Sequence, residues 1–163
     1  MAVGEIELAT GRRIYELHTY AQVAGTDQTN AVDSWVSIGK FVHGIAFWIQ
    51  KGATTVAGAG DALGVSVDCR LDSAYDNNST YIPVATFTAS AGAQAVFTES
   101  INIYPGGGSA TVNLTGSSQA DSGDTLTAGG RIVIGTQYRC RYTVVDNAGN
   151  DVDYSFGVWA IPY

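Results

Sequence analysis

The chain is short of charge. Lys, Arg, Asp and Glu together make up 14% of its 163 residues, about half the share in an ordinary globular domain. Lysine occurs only at Lys40 and Lys51. The exposed flanks of helices are normally filled with Glu, Lys and Arg, so this composition excludes a helical bundle. Basic residues number 8 against 15 acidic ones, a formal net charge of -7. That balance excludes nucleic acid and anionic membrane surfaces as expected partners, since clustered Lys and Arg hold both. Long hydrophobic runs are missing too. The longest, Phe41 to Ile49, is interrupted by His43 and Gly44 and falls far short of the ~20 residues of a membrane helix. Residues Met1 to Glu7 show neither the basic nor the apolar part of a signal peptide. The expectation is a soluble protein made in the cytoplasm.

What the chain has instead is β-forming material. Hydrophobic residues are 45% of the total, with 20 glycines and nine tyrosines, and Thr, Val and Ile recur throughout. Apolar and polar residues alternate in short runs: Ile14 to Val23, Leu63 to Leu71, Ala95 to Tyr104, Ala110 to Leu114, Tyr138 to Val145 and Val152 to Ile161. A period of two is the mark of a half-buried strand. Asx- and Gly-rich turns separate the runs, as at Asp146 to Asn150. Pro83, near the start of the run from Tyr81 to Thr88, marks a sheet edge. Gly25 to Asp33 and Thr115 to Thr125 read as loops. The predicted fold is all-β: a two-sheet antiparallel sandwich formed by residues 14–163, preceded by an arm of residues 1–13.

Reactive groups do not converge in the sequence. Of the two histidines, His18 falls on the polar face of its strand and His43 on an apolar face. No His pair or His–carboxylate pair has zinc-ligand spacing, and no nucleophile elbow or phosphate loop is present. Asp146 to Asp153 is rich in possible calcium ligands, but the spacing departs from an EF-hand and the composition suits a hairpin. Asp68 with Asp72 has nothing to fix the separation that a glycosidase pair needs. No catalytic residue, metal site or cofactor is expected. Cys69 and Cys140 both fall on apolar strand faces. They are either two buried, inert thiols or a disulfide joining distant strands, which would close a loop of about 70 residues and contribute ~4 kcal/mol.

Some strands are apolar on both faces. Phe41, His43, Ile45, Phe47 and Ile49 point one way, Ala46 and Trp48 the other. In the last strand Trp159 and Ile161 oppose the buried set, followed by Tyr163. A monomer rarely leaves such surface in contact with water. Trp48, Trp159, Ile161 and Tyr163 are therefore expected at an interface between copies in a symmetric homo-oligomer. Trp35, Trp48 and Trp159 also offer the material for a sugar-stacking platform.

From Leu63 onward the sequence resembles a jelly-roll family of tailed-bacteriophage virion proteins, notably head decoration (cement) proteins. The resembling stretches are Gly64-Val65-Ser66-Val67-Asp68, the polar loop from Asp72 to Thr80 leading into Tyr81-Ile82-Pro83-Val84, and Ala85-Thr86-Phe87-Thr88. Gln137 to Val144, and the hairpin into Tyr154-Ser155-Phe156-Gly157-Val158, complete them. Members tend to have Trp where Tyr81 stands, Val where Cys140 stands, and a shorter connection than Tyr104 to Gly130. The resemblance implies a trimer on the outside of the capsid, made in the host cytoplasm, that binds the major capsid protein and stabilises the head. An arm carrying Arg12, Arg13 and Tyr15 would dock onto the lattice. A carbohydrate-binding host-adsorption module and a tail or baseplate protein of the same fold are the alternatives.

Overall fold

The computed structural model describes residues 5–7, 13–38, 44–70, 81–87, 90–92, 96–104, 107–114, 135–149 and 151–163. The alternating runs become strands: β1 (Glu5–Glu7), β2 (Arg13–Gln22), β3 (Gln28–Val32), β4 (Val36–Ser37), β5 (Ile45–Lys51) and β6 (Ala62–Arg70). They continue as β7 (Ile82–Thr86), β8 (Ser90–Ala91), β9 (Phe97–Tyr104), β10 (Gly107–Leu114), β11 (Gln137–Val145) and β12 (Ser155–Pro162). No helix occurs among the described residues. One sheet has the order β1-β2-β12-β5-β9-β10; the other runs β3-β11-β6-β7, with β4 also on β11 and β8 also on β6. All pairings are antiparallel.

The two sheets pack together over one core. Ile45, Phe47 and Ile49 of β5 lie opposite Ile103, Ile101 and Glu99 of β9, and Ala160 and Val158 of β12 continue the same rows. From the other sheet come Leu63, Val65, Val67 and Cys69 of β6, with Tyr138, Cys140 and Val144 of β11. Burial of this period-two set is the main stabilising term. Pro83 lies on β7, at the edge of its sheet, where its missing N–H interrupts no inner ladder.

The sequence pattern and the structure part company in three strands. Glu5–Glu7 is not a free arm: it pairs with β2 as an outer strand of the six-stranded sheet, and Arg13 opens β2 and meets Glu5 at 3.1 Å. The rest of the expected arm, Arg12 included, lies outside the described residues, as do His43, the loop 71–80 and the stretch 115–134. Gln28–Val32, expected as loop, is a strand, because β11 supplies its hydrogen bonds whatever its polarity. Its ladder slips at Asn30, whose φ of 51° is a left-handed conformation that Asn tolerates.

In β2, finally, strict alternation fails. Ala160, Trp159 and Val158 face Tyr15, Glu16 and His18, so Leu17 and His18 together oppose a single residue. This bulge turns both Leu17 and His18 inward. His18 is thus taken off the polar face on which the pattern put it. Tyr15, expected at the capsid interface, is a core residue only 7% exposed.

Candidate functional site

The outer face of the six-stranded sheet carries the apolar surplus. Trp159 and Trp48 stand directly opposite one another on β12 and β5, flanked in the same row by Glu16 and Ser100. Both indoles are partly exposed. With Ile14, Ile49, Gln50, Thr98 and Ile161 they line an open groove of about 470 Å³. Its walls are apolar, with the Gln50 amide and the Thr98 hydroxyl as polar exceptions.

Gly157 explains the lie of Trp159. A Cβ there would overlap Cη2 of the indole and touch Cβ of Tyr20. The ring reclines along its own strand over the space that the missing side chain leaves. Tyr20, 45% exposed, extends the aromatic surface across this position. Of the expected interface residues, the structure therefore brings Trp48, Trp159 and Ile161 together. Tyr163 does not line the groove. Its backbone exchanges two 3.0 Å hydrogen bonds with Gly44, and its ring packs where a Gly44 side chain would stand. Arg13 pairs with Glu5, both exposed, a contact worth little on its own. Gln50 was accessible to period-two counting from Trp48; Thr98, Ile14, Tyr20 and Gly157 needed the strand order.

The opposite outer face, on β6 and β11, is cationic and aromatic. Asp68, wholly buried, accepts hydrogen bonds from Arg141 Nε at 3.0 and 3.1 Å and from Nη2 at 3.1 Å, with Arg139 Nε at 3.4 Å. The Trp35 ring is engaged by the guanidinium groups of Arg70 and Arg139, each 4.4 Å away. Tyr81 takes Arg139 at 4.9 Å and Arg141 at 5.5 Å. Such contacts tie the flanking loops to β6 and β11 through cation–π pairs. They also leave Asp68 with its oxygens occupied, and Trp35 with less ring surface for a sugar.

The acidic turns are clamps. Asp61 accepts N–H bonds from Gly58 at 2.6 Å and Ala148 at 3.0 Å, joining two turns. Those donors, Gly58 foremost, hold its carboxyl below the usual range against the upward push of burial. Asp153 takes the N–H groups of Thr55 and Val56 and the Thr55 hydroxyl. Burial pushes its carboxyl up, but these donors together bring it below the ordinary value. Both carboxylates are spent on backbone donors, the turn chemistry expected of Asx residues.

No disulfide joins Cys69 to Cys140; both are buried thiols. Their strands are neighbours, not distant: Cys69 faces Tyr138 and Cys140 faces Val67. That register sets them on a diagonal, about 7–8 Å apart, beyond the ~4.4–6.8 Å that a disulfide spans between Cα atoms. Burial pushes the Cys69 thiol up to about 11 and the Cys140 thiol well above its ordinary value. Instead of its fellow cysteine, Cys140 has His18 and Asp33 beside it, a grouping assembled from three separate segments. No local spacing could have revealed it.

Scanned against protein-family models the chain matches none, and a search of curated proteins finds no match.

Proposed function

We propose that this protein is a virion structural protein of jelly-roll type: a decoration protein that binds the outside of a bacteriophage head as an oligomer, a trimer in the simplest case. The observation that carries the reading is the groove of Trp48, Trp159, Ile14 and Ile161 on the outer face of the six-stranded sheet. Two opposed, partly exposed tryptophans on a rigid sheet are the kind of anchor that concentrates binding energy at protein interfaces. The resemblance of the segment from Leu63 onward to head decoration proteins supplies the identity of the shell. The residue that seats on the lattice is no longer Tyr15, which the core takes; the apolar groove and the arginine-rich face of β6 and β11 are the surfaces left for copies of the chain and for the major capsid protein.

Sedimentation equilibrium tests the first half. The wild-type chain is expected to be trimeric and Trp159→Lys monomeric with unchanged circular dichroism. A wild-type protein that stays monomeric at high concentration would overturn the reading. Adding the protein to undecorated heads and counting copies tests the second half. Hundreds of copies per particle support a head lattice; a handful mean a tail or baseplate position.

One specific observation favours a second reading. Gln50 and Thr98 border the two indoles, and stacking rings beside an amide and a hydroxyl are what a sugar ring needs. A glycan array decides: saturable binding lost in Trp48→Ala would make the groove a host-adsorption site.

A further inference from the structure

Three donor atoms of different chemistry meet between the sheets. A ring nitrogen of His18 on β2, a carboxylate oxygen of Asp33 just past β3, and Sγ of Cys140 on β11 all lie within 4.8 Å of one another. The imidazole is held in place. It stacks on Phe156 at 4.3 Å, takes the edge of Tyr142 at 5.3 Å, and sets Nδ1 2.7 Å from Asp33 Oδ2. Nδ1, the ring nitrogen turned toward Asp33, is the one that can share an ion with that carboxylate. It does so in the tautomer protonated at Nε2, which leaves the Nδ1 lone pair directed at Asp33.

We propose that His18, Asp33 and Cys140 form an inter-sheet site for a divalent transition-metal ion, zinc being the ion this donor set matches. Imidazole, thiolate and carboxylate are zinc's three usual protein ligands, whereas magnesium and calcium take oxygen donors. Donors around tetrahedral zinc stand about 3.3–3.6 Å apart, so the wider spacings in the group, up to 4.8 Å, must close while the 2.7 Å Nδ1–Oδ2 pair opens. Asp33, whose side chain is 28% exposed, has room to make that adjustment and gives the ion its way in from solvent. On binding, the Cys140 thiol releases its proton to water and the thiolate takes the ion. Three protein donors leave a fourth position for water. The ion joins β2 of one sheet to β11 and the end of β3 of the other. This inference is independent of the functional reading above.

The test is titration of the full-length chain, stripped of metal by chelation and kept reduced, with cobalt(II) and then zinc(II). One cobalt per chain is expected, with a near-ultraviolet thiolate-to-cobalt charge-transfer band that zinc abolishes, and a Tm that rises with zinc concentration. Cys140→Ala is expected to lose the band and Cys69→Ala to keep it. Asp33→Asn is expected to bind at least about tenfold more weakly. Asp33 is partly exposed, so this variant keeps the proposal testable even if Cys140→Ala does not fold. No saturable band at equimolar metal overturns the site. So does unchanged affinity in Asp33→Asn, or a band that depends on Cys69.

Discussion

Lys51 is one of two lysines in the sequence and it is wholly buried. Its Nζ donates to Thr54 Oγ1 at 2.6 Å and lies 5.3 Å from the centre of the Tyr154 ring. Burial pushes its pKa from the ordinary 10.5 down to about 8, with the Asp153 charge pulling the other way. Because the folded value is the lower one, the unfolded chain holds the extra proton between pH 8 and 10.5. Stability linked to Lys51 is therefore complete above pH 10.5 and is lost as pH falls through 8. Converted directly, the displacement has a ceiling of about 3 kcal/mol; relaxation of the protein interior reduces this to about 2 kcal/mol.

The perturbation is Lys51→Met, which keeps an unbranched chain of similar length. Its lost bond to Thr54 is a constant offset that does not vary with pH. The assay is urea unfolding of both proteins at pH 7, 8, 9 and 10, followed by tryptophan fluorescence. Cys69, raised to about 11, destabilises both chains alike above its unfolded value of 9.0, so the difference between them isolates Lys51. The wild type should gain about 2 kcal/mol on the variant from pH 7 to 10. Parallel pH profiles would refute the argument that desolvation of the ammonium dominates its environment.

Asp68→Ala leaves Arg139 and Arg141 without their buried counter-charge and should destabilise by about 3 kcal/mol in chemical denaturation; a loss below about 0.5 kcal/mol would mean that solvent already screens the cluster. Gly157→Ala should force the Trp159 indole off its strand. The expected readout is a red-shifted tryptophan emission with a loss of about 1–2 kcal/mol, and unchanged emission would contradict the reclining ring. Native protein at pH 8 should leave both thiols unlabelled by a disulfide reagent, and denatured protein should label both, because burial keeps them protonated. A Tm that falls on adding reductant would show instead that a disulfide exists.

Several elements could be read from residues alone because their determinants are local. Val65-Ser66-Val67-Asp68-Cys69 alternates, and β6 follows it residue by residue. Trp48, Trp159 and Ile161 were assigned to the outer faces by the same parity, and the structure sets them side by side. Parity fails where a bulge inserts an extra residue. His18 was misplaced for that reason, since the sequence of β2 gives no sign that Leu17 and His18 share one position opposite Val158; Tyr15 was set at the capsid interface by the resemblance, not by parity, which puts it on the same face as Leu17. Gln28–Val32 was missed because its pairing is provided by another segment more than a hundred residues away.

The order of polar and apolar residues by itself determined the class of fold, most of the longer strands and, where no bulge intervenes, the faces they show, since side-chain direction in a regular strand depends only on counting by two. Which strands become neighbours depends on long-range pairing and on how the two inner faces mesh. That step alone decided that the two indoles stand opposite each other, that Asp68 sits under two arginines, and that Cys140 keeps company with His18 and Asp33 instead of with Cys69. Contacts between residues so far apart in the chain leave no trace in local spacing.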